Sequence, residues 1–369
     1  MSRAVVFPLA LERGHLGKDL LLIPEALGAT LHCPAAAAGV DWPVPVVAGE
    51  SAAWTQPEYW RAQRLDGAIV FSFLQHSAII GALHDAGVRV VAKADTTGHP
   101  IARDHPGPRL VSALHDQDRL SRRAAAVASW AARIGPLHRA ELAELVRVVG
   151  TADHTTIETE PALRAVRASL QKRGHGALAA RLSVVPNPVA ETFLRAPLDA
   201  PRERIVVAVG RWQLRVKGAD LLIAALERFL AARPDYRAIV IGDGIPDRRD
   251  DRLRIAGRMP QEEIAHTLAR ARTVITTSRW ESFSLACHEG LATGCSVTGP
   301  PVNPVLDVTA RGPFGTAAAD RRVASVAAAL STEAAAWDAG ARDPQAIAAF
   351  WRERLSPRDV AARFAALLS

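Results

Sequence analysis

Along this chain, short apolar and β-branched runs are each followed by a glycine-bearing loop and a helix-forming stretch, and the pattern stops at a proline-rich break and starts again. A strand that returns parallel to its neighbour needs a crossover of a dozen or more residues, normally a helix. The alternation therefore dictates an α/β fold with parallel sheets covered on both faces. The first series opens with AVVFPLA (4–10), the loop ERGHLGKD (12–19) and the helical LLLIPEALG, and continues through ATLHCP, PVPVVAG, GAIVFSF (67–73) and VRVVAKAD (88–95). An arginine- and alanine-rich stretch, 120–149, reads as two helices broken at Gly135-Pro136, before a strand at HTTIETE (154–160) and the helix PALRAVRASLQKRG. Residues 184–204, with Pro186, Pro188, Pro197 and Pro201, form the linker. The second series runs RIVVAVG (204–210), a helix, RAIVIGDG (237–244), RLRIAGRM, a helix, TVITTS, a helix near LACHEGLATG, and CSVTG.

With 369 residues the chain exceeds one ordinary core. The two series predict two domains, 1–190 and 201–350, with a cleft between them. The tail from Asp343 reads as two helices broken at Ser356-Pro357, with no sheet of its own to cover.

Composition removes several functions. Cys33, Cys287 and Cys295 are odd in number and lack CxxC spacing, and the 12 histidines form no HExxH pair, so neither a disulfide framework nor a protein metal site is expected. No apolar stretch approaches a membrane span, and MSRAVVFPLA lacks the features of a signal peptide, so the expectation is a cytoplasmic protein. Net charge of +7 favours anionic partners, but without a recognised motif it does not argue for nucleic acid. The basic stretch Arg119–Arg139, with Trp130, offers either amphipathic packing or contact with an anionic membrane near a lipid-linked acceptor; packing is preferred. Lysine occurs only at Lys18, Lys93, Lys172 and Lys217; the rest of the 45 basic residues are arginine. A lysine kept against that bias marks a place where a compact ammonium is wanted.

In open parallel sheets ligands gather beyond the carboxyl ends of the strands, where helix-opening loops offer free N–H groups to anions. GRWQLRVKG (210–218) sets Arg211 and Lys217 on such a loop, between Gly210 and Gly218, as either two cations for a diphosphate or a solvated basic loop. Gly242 in GDG allows a close backbone approach, and Arg258-Met259 closes a strand where backbone groups can meet a flat heterocycle or simply turn. ESFSLACHE (281–289) puts Glu281 on an exit loop and Glu289 in the early turns of a helix, with the N–H groups of Ser282, Phe283, Ser284 and Leu285 between them. The two carboxylates suit separated hydroxyl-rich groups flanking a phosphate. They also admit a capping or surface pair, or, less well beside basic residues, the acid and nucleophile of a glycosidase.

Taken in order and at their spacing, GRW…KG, GDG, AGRMPQEEI and SRWESFSLACHEGLATG, preceded by PNPV (186–189), resemble the family 4 glycosyltransferases of the GT-B fold. KADTTG (93–98) and GKDLLLIPEALG are similar to members from polysaccharide gene clusters. The resemblance implies two Rossmann-like domains, with the C-terminal helix 357–369 returning to the first. It implies a retaining transfer of sugar from a nucleotide-diphosphate sugar, UDP- or GDP-linked, to a saccharide, lipid-linked or other hydroxyl acceptor, without metal or other cofactor. Arg211 and Lys217 would hold the diphosphate, Glu281 the donor sugar and Glu289 the ribose. Backbone at Arg258 and Met259 would read the base, and Gly14 and Gly17 would approach the phosphates from the first domain. Lys18, Lys93 and His99 fall on the acceptor side, and Asp95 stands where many members have a histidine near the sugar. Ser284 and Gly290 replace a usual glycine and alanine. A sugar-nucleotide epimerase or hydrolase, or an inactive binding subunit, is the alternative on the same fold.

Overall fold

The computed structural model describes residues 2–98, 123–124, 127–128, 137–247 and 251–369. Among the described residues the chain forms two compact units, one built from residues up to 98 and 137–190 together with Arg354–Ser369, the other around Glu191–Glu353. Among the described residues no helix is long and apolar enough to cross a membrane.

In the first unit the chain runs β1 (Arg3–Val6), α1 (Asp19–Leu27), β2 (Thr30–Cys33), β3 (Val46–Ala48), α2 (Pro57–Gln63), β4 (Gly67–Phe71), α3 (Ser77–Asp85) and β5 (Arg89–Ala94). It continues with α4 (Leu137–Thr151), β6 (His154–Ile157), α5 (Glu160–Gln171) and β7 (Leu182–Val184). The seven strands are parallel, in the order β3-β2-β1-β4-β5-β6-β7. Successive strand residues serve opposite faces. Val5, Ile69 and Val91 pack with Leu20, Ile23 and Phe364 on one side, while Val6, Val70 and Ala92 pack with Trp54, Trp60, Ile80 and Leu83 on the other. Both sides are thus sealed, which is why β4 reads as an unbroken apolar run.

The second unit opens with the short α6 (Glu191–Leu194), then β8 (Glu203–Val209), α7 (Ala219–Ala232), β9 (Arg237–Ile241), β10 (Leu253–Gly257), α8 (Gln261–Arg270) and β11 (Ala271–Ile275). There follow α9 (Leu285–Ala292), β12 (Ser296–Gly299), α10 (Asn303–Arg311), β13 (Gly315–Ala317), α11 (Val323–Asp338) and α12 (Pro344–Leu355). Its six-stranded parallel sheet has the order β10-β9-β8-β11-β12-β13. β7, β13, α10 and α11 have no counterpart in the sequence reading: the two strands are three residues long and carry little of the apolar signature.

Helix α13 (Pro357–Leu367) answers the tail's missing sheet. It packs against α1, with Val360 and Phe364 fully buried in the first unit's core. Phe364→Ala should therefore cost about 3–5 kcal/mol of unfolding free energy, read from denaturant unfolding, whereas the exposed neighbour Arg363→Ala should stay within about 0.5 kcal/mol.

Candidate functional site

In the second sheet, β8 and β11 are neighbours whose onward connections lead to opposite sides, through α7 to β9 and through α9 to β12. Their carboxyl ends flank the switch point of the fold, where a crevice opens for ligand. The loops leaving these two strands are fastened to each other. Thr277 Oγ1 donates to the carbonyls of Lys217 (3.0 Å) and Gly218 (3.1 Å), and the Arg279 amide donates to Val216 O (2.7 Å). The Arg321 guanidinium donates to the carbonyls of Thr277, at 3.0 Å, and Ser278. Gly218 begins α7 at φ 67°, and a Cβ there would strike Thr277 O, so the loops can lie this close only at a glycine.

The contact presents a pair of charges. Lys217 Nζ lies 2.6 Å from Glu281 Oε2, which also accepts from Ser278 Oγ at 3.0 Å. The side chains retain 26% and 14% of their exposure, enough for a ligand to reach either one. Arg211, at the start of the same loop, is exposed. Beside it the glycines pack backbone on backbone: Gly242 has φ 115°, a Cβ would overlap Gly210 O, and its amide donates to Gly257 O at 2.6 Å. Trp212 closes the arrangement, donating from its amide to Asp243 O (2.8 Å) and from Nε1 to Ile241 O (2.9 Å). Past β10, Arg258 is exposed and pairs with Asp243, while Met259 is half-buried.

Helix α9 begins at Ser284, which adopts φ 63°, ψ 86°. This left-handed conformation is natural to the glycine usual here and costs a serine roughly 1 kcal/mol or more. His288 holds the turn: its Nδ1–H donates to Ser284 O at 3.0 Å, and its ring stacks on Phe283 with centroids 3.6 Å apart and 5° between planes. The amides from Ser282 to Leu285 thus stand at the positive end of α9, with Glu281 before them and Glu289, half-buried, in the second turn. At Gly290 a methyl group would press on Val274 of β11, which accounts for the missing alanine.

The first unit carries its own cluster. Gly17, at φ 71°, leads into Lys18, which caps α1, and Gly14 lies in a turn closed by the Glu12 amide on His15 Nδ1 at 2.9 Å. The structure corrects Lys93 as an acceptor-side residue. Its ammonium is 2% exposed, held by Asp95 and by Asp19 at 2.9 Å, and sits 4.5 Å over the Phe71 ring. Burial works against its charge, but Asp19, Asp95 and Glu158 more than offset that and keep it protonated. Lys93 fastens the start of α1 to the end of β5. Asp95 remains partly open, its side chain 20% exposed. His99, and most of the basic stretch 119–139 with Trp130, lie outside the described residues.

Sequence reasoning missed Ser278, Arg321, His288 and Glu158. Only His288 had a local signal, as the lone histidine inside ESFSLACHE; the others reach their places from sequence-distant or unremarkable positions.

Residues 203–333 match the family described as glycosyl transferases group 1. The phosphatidylinositol N-acetylglucosaminyltransferase gpi3 subunit of Schizosaccharomyces pombe is 29% identical over 139 residues, covering 35% of this chain and 30% of that protein. The phosphatidyl-myo-inositol mannosyltransferase of Mycolicibacterium smegmatis is 29% identical over 143 residues, 36% of this chain and 37% of that protein. The chain therefore matches about a third of the length of these relatives. Over 100% of its length it superposes on 99% of the Anabaena HepE crystal structure in complex with UDP and glucose, with a TM-score of 0.64 at 15% identity. Sucrose-phosphate synthase from Thermosynechococcus elongatus gives 0.60 at 14%, covering 100% of this chain and 98% of that one.

Burial pushes the His288 imidazole down from 6.5 to about 4. Neutral His288 thus stabilises the fold fully above about pH 6.5, and the contribution is lost as pH falls from there through 4, because the unfolded chain takes up the proton first. Urea unfolding at pH 7.5 and 4.5 should show a loss of which about 2–3 kcal/mol belongs to His288. His288→Leu should remove that part and leave the share of His32, likewise lowered to about 4 by burial.

Proposed function

We propose, from the premise that residues 203–333 form a glycosyl transferases group 1 domain within a GT-B fold, that this protein is a nucleotide-sugar-dependent glycosyltransferase. In this reading it retains anomeric configuration and serves polysaccharide or glycosylated natural-product biosynthesis. The observation that carries the reading is the Lys217–Glu281 pair, set at the switch point beside the start of α9. An ammonium, an exposed guanidinium at Arg211 and a row of helix-opening amides suit a diphosphate, while Glu281 and Glu289 accept hydrogen bonds from hydroxyls on either side of it. In this assignment Glu281 takes the sugar, Glu289 the ribose, and the backbone at Arg258 and Met259 a uracil or guanine base. HepE, solved with UDP and glucose, supports the pairing of nucleotide and sugar on this fold.

The transfer breaks the bond from the anomeric carbon to the diphosphate oxygen and forms one from that carbon to the acceptor oxygen on the same face. The acceptor's proton passes to the leaving phosphate. Negative charge grows on the diphosphate as it departs, and Lys217 and Arg211 lie where they lower that cost. A preorganised cation in a half-buried site acts far more strongly than one in water. These cations supply the charge neutralisation a divalent ion gives elsewhere, so the reading requires no metal or other cofactor. The acceptor is a saccharide, a lipid-linked sugar or a small hydroxyl compound, and relatives named for phosphatidylinositol substrates support including a lipid acceptor. The site of action is the cytoplasm, in the absence of nucleic acid.

Lys217→Ala and Glu289→Ala should each reduce sugar transfer by roughly 100-fold or more while leaving the melting temperature within a few degrees, and Lys217→Arg should not restore it, because a planar fork does not replace a compact ammonium. Near-normal transfer in either alanine variant overturns the assignment. In a thermal-shift screen of UDP-, GDP-, ADP- and TDP-sugars, one class should stabilise the protein by about 2.7 kcal/mol at a hundredfold excess over Kd, and Lys217→Ala should erase that shift.

A further inference from the structure

We propose that the cavity at the amino end of the second sheet, between α8 and the strands β9 and β10, is a second anion site that takes the phosphate of a compact soluble ligand such as a sugar phosphate or pyrophosphate. The inference stands apart from the glycosyltransferase reading and concerns the opposite end of β8 from the candidate donor site.

The site follows from register and from where α8 lies. Ala238 and Val240 of β9, with Leu253 and Ile255 of β10, turn to the core shared with α7 and α11, so Arg237, Ile239 and Arg254 project from the other face. Arg237 is level with Ile205 of β8, and Arg254 with Ile239. Helix α8 packs on that face over β8 and β11. Among the described residues it stops short of β9 and β10, where Ile239 stays half-buried inside a strand whose other apolar residues are buried. A cavity of about 250 Å³ results, lined by the amino ends of the strands and the last turns of α8. That is smaller than the roughly 300–1,000 Å³ of pockets for drug-sized ligands, and suits a phosphate carrying little more than a sugar ring.

Charge decides the class of ligand. Among the described lining residues, the four guanidiniums of Arg237, Arg252, Arg254 and Arg270 stand against the two carboxylates of Glu203 and Asp251, a formal surplus of two positive charges. Glu203 acts as a bracket: its Oε2 accepts from Arg237 Nη2 at 2.7 Å and its Oε1 from Arg270 Nε at 2.6 Å, so one carboxylate orients two exposed guanidiniums. A guanidinium has five N–H donors, and the bracket uses a minority of them. Arg254 is exposed and has no hydrogen bond or ion pair among the described residues. A phosphate monoester brings about two negative charges at neutral pH and three acceptor oxygens, which match the surplus in number and the guanidinium forks in geometry. β8 is seven residues long, so its length of roughly 20 Å separates Glu203 from the loop of Arg211 and Lys217, and a compact ligand cannot reach both.

A plainer account exists. β10 is an edge strand, and charges on an edge keep it from pairing with another chain. That account needs charge but no ligand, and titration separates the two. Inorganic pyrophosphate titrated calorimetrically into the Arg211→Ala/Lys217→Ala protein, whose candidate donor site is disabled, should still bind at one site. Adding Arg254→Gln, which breaks no contact among the described residues, should weaken that binding by about tenfold or more, and adding Arg237→Ala as well should abolish it, with the melting temperature kept within a few degrees. Glucose 6-phosphate should bind at the same site and glucose should not. No pyrophosphate binding in the Arg211→Ala/Lys217→Ala protein, or binding that Arg254→Gln leaves unchanged, overturns the proposal. So does Arg254-dependent flotation with phosphatidic acid vesicles in the absence of pyrophosphate binding, since the phosphate recognised would then belong to a lipid.

Discussion

The hydrogen bonds from Thr277 Oγ1 to the carbonyls of Lys217 and Gly218 are the constraint from which the candidate donor site follows. They tie the loop leaving β8 to the loop leaving β11, two segments about sixty residues apart in sequence that the parallel sheet has already made neighbours. With the loops joined, Lys217 and Glu281 cannot avoid each other, and the first turn of α9 faces the same space. Arg321 reinforces the joint, donating to the carbonyls of Thr277 and Ser278. A site built in this way depends on backbone closeness more than on any one side chain, which is why Gly218 and Gly242 matter as much as the charges.

The first unit solves a similar problem by different means. There a buried lysine joins the end of β5 to the start of α1, with Asp95 and Asp19 both bound to its ammonium. A buried charge with its partners removed costs several kcal/mol, so this cluster and the glycine-bearing loop before α1 form one mechanical element. Both units keep their sheet faces mainly apolar, with a few buried polar side chains within strands such as Thr155 in the first sheet and Thr273, bonded to Ser296, in the second.

Periodicity made the architecture legible: apolar runs separated by glycine loops and helices carry the same information that the two doubly wound sheets express. What it could not show were elements of three residues, such as β7 and β13, whose identity comes from a neighbouring strand. The motifs singled out Arg211, Lys217, Glu281 and Glu289 from local sequence alone, whereas the contact of Lys217 with Glu281 comes from the fold. Lys93 was misread because its enclosure is likewise a property of the fold. A lysine two residues before an aspartate at a strand end looks available, and only the fold reveals that Asp19 and Phe71 enclose it. Glu158 comes level with Asp95 through strand register, which no local pattern records. Ser284 lay between these cases. Its departure from glycine was visible, but the His288 stack that supports its backbone was not.

The Lys217–Glu281 ion pair has one more consequence. In the resting protein each charge offsets the other, so Lys217 itself offers little attraction to a bare phosphate or pyrophosphate. Such an ion can claim Lys217 only by stranding Glu281, a carboxylate with 14% exposure, and a stranded, poorly hydrated anion is costly. In the proposed reading a nucleotide-sugar brings phosphates for the lysine and hydroxyls for the glutamate in one molecule, so it would take the pair apart and satisfy both halves at once. On that reading the pair would work as a coincidence detector: ligands carrying one of the two chemistries are held off by the contact that a ligand carrying both dissolves.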